Sequence, residues 1–168
     1  GKSTTAASLF SELKYLGLNC EYVQEYAKDA AWERRGYKFF DAQTYIFANQ
    51  AFRMQRLEGE VEIIITDSPL LQSLVYTPEN YPIKSLPLVV RETYDCFENL
   101  DIFIKRSNTK TYNPSGRLQT EETAKEKDGQ ILGMLSEQNI YPEILTFSRE
   151  LPNQILSLIK TVWPEIQI

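Results

Sequence analysis

Apolar residues along the chain follow two spacings, the 3.6-residue repeat of amphipathic helices and the short continuous runs of buried strands. Residues 62–66, Glu-Ile-Ile-Ile-Thr, are the clearest strand, and they end in Asp-Ser-Pro. Residues 4–16 are a clear helix, with an apolar set of Ala7, Leu9, Phe10, Leu13 and Leu16. A continuous apolar run, unlike an alternating one, predicts a strand that is covered on both faces.

The same criteria place the remaining elements in alternation along the chain. Further strands are predicted at 19–25, 100–105 and 141–147, helices at 26–35, 40–57, 70–76, 88–99, 121–138 and 153–163, and loops at 77–87 and 107–115. Strands that alternate with helices through short connections predict an α/β fold, in which helices cover both faces of a parallel sheet. Ligands of such sheets bind where strands end, a rule that selects Glu25, Asp67 and Arg106.

Composition narrows the class of protein. A length of 168 residues, 42% hydrophobic and 24% charged, is typical of one soluble globular domain. The net charge of −5 argues against a general binder of nucleic acid or anionic membranes. Cys20 and Cys96 form no C-x-x-C pair and there is no histidine, which argues against structural zinc and favours a reducing, cytoplasmic setting. Neither a signal peptide nor an apolar run of membrane-spanning length is visible.

The first four residues, Gly1-Lys2-Ser3-Thr4, match the second half of the phosphate-binding motif G-x-x-x-x-G-K-[ST], the Walker A motif. In that motif the glycine lets the backbone approach phosphate, the lysine reaches the β- and γ-phosphates, and the serine hydroxyl binds Mg²⁺. A helix that opens at Lys2 would direct its free N–H groups at a phosphate. We therefore expect a P-loop whose first glycine, four loop residues and preceding strand lie outside this chain. The alternative is an ordinary helix cap formed by Ser3 or Thr4.

Each of the three strand-end residues has two interpretations. Glu25 either orients or deprotonates an acceptor hydroxyl, or is simply an acidic residue favoured at a helix start. Asp67 follows its apolar strand as a Walker-B-type acid does near Mg²⁺, or it only forms an Asp-Ser-Pro turn. Arg106 either reaches phosphate or solvates the end of its strand.

The segment 107–130 carries almost no large apolar side chains apart from Tyr112 and Leu118. This composition predicts a lid that closes over the reaction, with Arg117 placed on the transferred phosphoryl group. A solvated surface helix with pairs such as Glu121 and Lys125 is the alternative. The acceptor pocket is expected between residues 27–52 and the proline-containing loop 77–87.

Taken together, these motifs resemble the P-loop nucleoside and nucleotide kinase group, and most of all the NadR-type ribosylnicotinamide kinase domain with its phage-encoded relatives. The resemblance follows Gly1-Lys2-Ser3, the Glu-Tyr-Ala-Lys of residues 25–28, the helix 43–56, the Ile-Ile-Thr-Asp-Ser of residues 64–68 and the strand 101–105. Ser68-Pro69 stand where thymidylate-type kinases carry an arginine, which argues against thymidylate kinase itself. Arg117 and its acidic neighbours are closer to the lids of deoxynucleoside or nucleotide kinases.

The resemblance implies a three-layer P-loop fold in one domain, ATP and Mg²⁺ as cofactors, and transfer of the γ-phosphoryl group to a nucleoside-like or nucleotide acceptor. Nicotinamide riboside, a (deoxy)nucleoside and a nucleoside monophosphate all remain open as that acceptor.

In this interpretation Lys2 neutralises the phosphate oxygens, Ser3 and Asp67 hold Mg²⁺, Glu25 handles the acceptor and Arg117 closes the site. Gly1, Thr4 and Arg106 complete the predicted nucleotide-binding set. The rival is a regulatory nucleotide-binding ATPase module with slow or no transfer, which would need Lys2 and Ser3 but no acceptor-side base. No nucleic-acid or membrane partner is expected, and the oligomeric state cannot be read from the residues.

Overall fold

The computed structural model describes residues 1–33, 36, 39, 41–105 and 121–167, with only the backbone of 121–125. Within these residues the elements are α1 (Lys2–Tyr15), β1 (Cys20–Val23), α2 (Tyr26–Trp32), α3 (Gln43–Gln55), β2 (Ile63–Thr66), α4 (Gln72–Tyr76), α5 (Leu86–Asp95), β3 (Ile102–Lys105), α6 (Glu121–Glu137), β4 (Glu143–Thr146) and α7 (Leu151–Val162). The predicted mixed α/β character is confirmed. None of these helices has both the length and the apolar composition needed to cross a membrane.

Three helices begin two residues earlier than their patterns predict. Helix α5 begins at Leu86 and α7 at Leu151, each with a proline in its first turn. Proline is tolerated there because the first-turn N–H groups have no partner within the helix. Helix α1 begins at Lys2, since the polar residues of its first turn give no apolar signal.

The four strands form two parallel pairs rather than one continuous sheet. Strand β1 pairs with β2, in a register that sets Cys20 opposite Ile63 and Val23 opposite Thr66. Strand β3 pairs with β4, with Ile102 opposite Glu143. The expectation of a single sheet is therefore met only in part among the described residues. Because β1 and β2 are parallel neighbours, the residues that follow them meet at one edge.

Two apolar cores lie on opposite faces of β2. Ile65 belongs to one, while Ile64 packs against the other, because successive side chains of a strand point to opposite faces. The α1-side cluster comprises Ala6, Leu9, Leu13, Leu18, Cys20, Ile65, Leu151, Ile155 and Ile159. The α3-side cluster comprises Val23, Phe47, Ala51, Met54, Leu70, Leu71, Leu86, Val90, Tyr94 and Leu135. The continuous apolar run of β2 is thus covered on both faces, as its sequence predicts.

A Schellman turn at the end of α1 fixes the direction in which the chain enters β1. Gly17 has a φ of +87°, a conformation that L side chains rarely adopt. The Leu18 N–H donates to Leu13 O at 3.1 Å, and the Gly17 N–H donates to Lys14 O at 3.0 Å. Leu13 and Leu18 are both buried, so the turn also closes the core beneath β1.

Candidate functional site

The N-terminus of α1 is open to an anion. Gly1 is the N-cap and makes no side-chain cap, and the first turn carries no acidic residue. The first intrahelical bond runs from the Thr5 N–H to Gly1 O at 2.9 Å, so the amides of residues 2–4 have no carbonyl within the helix to bind. These amides and the helix dipole together favour a bound phosphate. The alternative of a cap formed by Ser3 or Thr4 is wrong, because both residues lie within α1 and Gly1 occupies the N-cap position.

Lys2 and Gly1 make contacts that tie this terminus to other elements. The Lys2 Nζ is exposed and donates to Gln72 Oε1 at 3.3 Å, which joins α1 to the first residue of α4. A Cβ added at Gly1 would lie 2.1 Å from Cδ2 of Phe147, the residue after β4. Glycine is therefore required here by contact with an aromatic ring, in addition to any role it has at a phosphate.

Glu25 and Asp67 lie together, as their places at neighbouring strand ends predict. The Glu25 N–H donates to Asp67 Oδ1 at 3.1 Å. Asp67 is only 4% exposed, so its carboxylate sits in a fixed position rather than on a solvated turn. The structure thus brings one candidate base and one candidate metal ligand to the same edge.

Tyr22 connects this edge to α1. Its phenol lies close enough to Asp67 and Ser3 to interact with both. Burial first, and then the negative charge of Asp67, raise the pKa of the Tyr22 phenol above its ordinary value. The phenol therefore stays protonated beside the Asp67 carboxylate, and it is near both predicted metal ligands, Ser3 and Asp67.

The Gln50 side chain hydrogen-bonds to Tyr26 and Thr66, the neighbours of Glu25 and Asp67 in the chain. Its Oε1 accepts from the Tyr26 N–H at 2.9 Å, and its Nε2 donates to Thr66 Oγ1 at 3.4 Å. The Thr66 hydroxyl oxygen in turn accepts from the Ser68 N–H at 3.1 Å. Gln50 is 4% exposed. It therefore fixes both strand ends from α3, rather than lining an open acceptor pocket.

An aromatic group lies immediately after Glu25. The Tyr26 and Tyr45 ring centroids are 5.9 Å apart and their hydroxyls 3.2 Å apart, and the Phe39 ring completes the group at 5.7 Å from Tyr45. The Arg53 guanidinium lies 4.9 Å from the Tyr26 ring centroid and pairs with Asp29 at 2.7 Å. These contacts place flat apolar faces and one cation next to the candidate base.

The loop 77–87 is joined to α3 beside that aromatic group. The Tyr81 hydroxyl accepts from the Thr44 N–H at 3.0 Å and lies 2.9 Å from Thr44 Oγ1. The two segments predicted to form the acceptor pocket are therefore in contact at the start of α3.

Arg106 and Arg117 lie outside the described residues, as does most of the predicted lid. Of its described part, the Lys127 Nζ donates to Val75 O at 3.2 Å and lies 5.1 Å from the Tyr76 ring centroid. These contacts attach α6 to α4, the helix that also carries Gln72. Thr4 is exposed on the first turn of α1.

Candidate metal ligands are few in the described part of the chain, which holds no cluster of three or more carboxylate, thiol or imidazole side chains. A Mg²⁺ site needs no such cluster, because proteins usually hold this ion through one or two carboxylates while water and substrate phosphates complete its coordination. Asp67 and Ser3 are the residues predicted to supply ligands of that kind, whereas a zinc or calcium cage would need more protein ligands.

Comparisons with protein-family models, with curated proteins and with solved structures each give no match. Sequence reasoning missed Tyr22 and Gln72, and it expected the segment 27–52, which contains Gln50, to line a pocket. Only the position of Tyr22, two residues after the buried Cys20 on the same face of β1, could have pointed to it.

Proposed function

We propose that the chain belongs to an ATP-dependent P-loop kinase that transfers the γ-phosphoryl group to a nucleoside-like or nucleotide acceptor. One observation carries the proposal. Ser3, next to Lys2 at the N-terminus of α1, and Asp67 both interact with the Tyr22 side chain, and Asp67 accepts from the Glu25 N–H. Phosphate binding, metal binding and acceptor activation need these residue types, and they need them close together.

The fold proposed for this kinase has three layers, with helices on both faces of a parallel sheet. Support comes from the two apolar clusters on opposite faces of β2 and from the parallel pairing of all four strands. Parallel sheets buried on both faces bind their ligands at the carboxyl ends of strands, where Glu25 and Asp67 lie.

In the proposed mechanism the first-turn amides of α1 and the Lys2 ammonium bind the β- and γ-phosphates of ATP. Ser3 and Asp67 would hold Mg²⁺, with the Tyr22 phenol beside the Asp67 carboxylate. When bound, Mg²⁺ neutralises charge on the phosphate oxygens. Glu25 accepts the proton of an acceptor hydroxyl as the oxygen of that hydroxyl attacks the γ-phosphorus, and the bond from this phosphorus to the β,γ-bridging oxygen breaks to release ADP. Arg117 would close over the transferred group.

The aromatic group beside Glu25 supports an acceptor with a flat ring. Tyr26 is buried, but Phe39 is partly exposed and Tyr45 is 49% exposed, so these two rings offer surface on which a nucleobase or nicotinamide can pack. Arg53 gives this pocket one cation, although Asp29 neutralises much of its charge. A nucleoside therefore fits these contacts better than an acceptor with several phosphates.

A reducing compartment suits this enzyme. Both Cys20, which is buried, and Cys96, which is exposed, are free thiols. Unpaired thiols persist where glutathione and thioredoxin keep them reduced, so we propose a cytoplasmic enzyme.

A coupled ADP-release screen of the full-length protein, over nicotinamide riboside, nucleosides and nucleoside monophosphates, tests the function. Lys2→Ala should abolish transfer to whichever acceptor is active. Lys14→Ala is the matched control, since Lys14 lies on the same helix and pairs only loosely with Glu21 at 3.8 Å. Near-normal turnover of Lys2→Ala, with Mg²⁺ and ATP saturating, would refute the P-loop assignment.

A further inference from the structure

The Lys2 side chain is held by an uncharged partner. Its Nζ donates to Gln72 Oε1 at 3.3 Å, although the two residues are 70 positions apart in the chain. Lys14, by contrast, faces the carboxylate of Glu21 at 3.8 Å. An amide oxygen carries no net charge, so it fixes the direction of an ammonium group without forming an ion pair. The positive charge of Lys2 is therefore not neutralised by the residue that holds it.

Gln72 is tied to Asp67 by a short segment of chain that is anchored in the core. The Gln72 N–H donates to Pro69 O at 2.9 Å, which forms a turn at the start of α4. Leu70 and Leu71 within this turn are 2% and 1% exposed and belong to the α3-side cluster. The backbone that carries Gln72 is thus fixed relative to the Asp67 carboxylate, which is itself buried.

The opposite end of α4 is held as well. The Lys127 Nζ of α6 donates to Val75 O at 3.2 Å and lies 5.1 Å from the Tyr76 ring centroid. Because α4 is fixed at both ends, it is the rigid partner in the contact with Lys2, whose long and flexible side chain is exposed. Gln72 therefore sets the position of the Lys2 ammonium group, and not the reverse.

Such a contact prepares a lysine for an anionic ligand. A mobile lysine loses most of its rotamer freedom when it binds a phosphate, and this loss weakens binding by roughly tenfold. A lysine that is already held has lost part of that freedom before the ligand arrives. An ammonium group has three N–H donors, so Lys2 can keep its bond to Gln72 while its other N–H groups donate to phosphate oxygens.

We propose that Gln72 is a positioning residue for the phosphate-binding Lys2, an inference that rests on the proposed kinase function. Its amide oxygen holds the ammonium group beside the segment that carries Asp67, and Lys2 and Asp67 line one cavity of about 630 Å³. One stretch of chain thus places both the cation for the phosphates and the predicted Mg²⁺ ligand. A glutamate at residue 72 would also hold the lysine, but its charge would repel the phosphates of ATP. An uncharged amide therefore suits this position.

Substitutions of Gln72 in the full-length protein test the proposal through the affinity for ATP and the rate of transfer. Gln72→Met keeps the length of the side chain but removes the acceptor, so the Kd for ATP should rise and kcat/KM should fall by about tenfold. Gln72→Glu should weaken ATP binding at least as much, but its penalty should shrink at high salt, because salt screens exposed charges. The penalty of Gln72→Met should not depend on salt. Gln55→Met is the matched control, since Gln55 is exposed at the end of α3, and it should change neither quantity.

Two further measurements separate a positioning role from a structural one. In a Lys2→Ala background, Gln72→Met should weaken ATP binding no further, because the lysine on which Gln72 acts is missing. In NMR spectra of the lysine ammonium groups, the Lys2 signal is identified by its loss in Lys2→Ala. Its protons should exchange faster with water in Gln72→Met than in the unsubstituted protein, both without ATP. The Tm should change by less than about 2 °C in the Gln72 variants, since this side chain is only partly buried.

The results distinguish failure of this role from failure of the kinase function. If Lys2→Ala abolishes transfer while Gln72→Met has normal ATP affinity and turnover, the role of Gln72 is overturned and the kinase function stands. Equal losses of ATP affinity from Gln72→Met with and without Lys2 would show that Gln72 acts independently of the lysine, which also overturns the proposal. Normal ATP binding and transfer in Lys2→Ala would refute the P-loop assignment, and the positioning role with it.

Discussion

Asp67 has two interpretations, as a structural hydrogen-bond acceptor and as a Mg²⁺ ligand, and substitutions at this residue distinguish them. Its Oδ1 accepts from the Glu25 N–H at 3.1 Å, and its negative charge acts on the Tyr22 phenol. In Asp67→Asn the amide oxygen can still accept from the Glu25 N–H. One charge-assisted bond becomes a neutral one, so we expect a loss of about 1 kcal/mol in the free energy of unfolding.

Asp67→Ala removes the oxygen to which the Glu25 N–H donates, next to a buried position. An unsatisfied buried donor costs about 1–3 kcal/mol. Since Glu25 is partly exposed and can reach water, we expect a loss of about 2 kcal/mol. Asp95→Asn is the control, because Asp95 forms an exposed pair with Arg91 that should contribute less than about 1 kcal/mol.

Urea unfolding of the three variants measures these stabilities, and Mg²⁺ titrations of phosphoryl transfer in the full-length protein measure the chemistry. If Asp67 binds the metal, Asp67→Asn should raise the Mg²⁺ requirement about tenfold or more while the protein stays folded. A normal Mg²⁺ requirement in that variant would reduce Asp67 to a structural acceptor. Equal destabilisation by asparagine and alanine would refute the hydrogen-bond argument.

Three further predictions test separate parts of the site. Glu25→Gln should slow phosphoryl transfer by about 10²–10⁴-fold, the range for a positioned general base, while the affinity for ATP stays unchanged. An equal loss of ATP binding would show that Glu25 is a structural residue. Burial raises the folded-state pKa of Asp101 above its unfolded value, so its contribution to stability is present at low pH and is lost as pH rises through the folded pKa. Asp101→Asn should therefore stabilise the chain at pH 7 by about 1 kcal/mol but not near pH 3, and an equal effect at both pH values in urea unfolding would contradict this. Arg53→Gln loses the Asp29 pair and the contact with the Tyr26 ring, so KM for the acceptor should rise several-fold in steady-state assays while the Tm changes little; an unchanged KM would remove Arg53 from the pocket.

The meeting of Glu25 with Asp67 was predictable because it depends on two local properties. The apolar run of β2 fixes where that strand ends, and β1, predicted at 19–25, ends at Val23, two residues before Glu25. Parallel pairing then places both ends at one edge, which the register of Val23 opposite Thr66 realises. Such an inference needs only the spacing of apolar residues and the rule for ligand positions.

The roles of Tyr22 and Gln50 depend on which helices and strands become neighbours. The pattern of residues along the chain does not give that information. A tyrosine within a strand is most simply interpreted as core. Its link to Ser3 arises only when α1 crosses over β1, as the contact between Phe10 and Tyr22 shows. Gln50 is buried on the inner side of α3. A polar side chain is not expected to be buried unless its hydrogen-bond partners are known, and the sequence does not identify them.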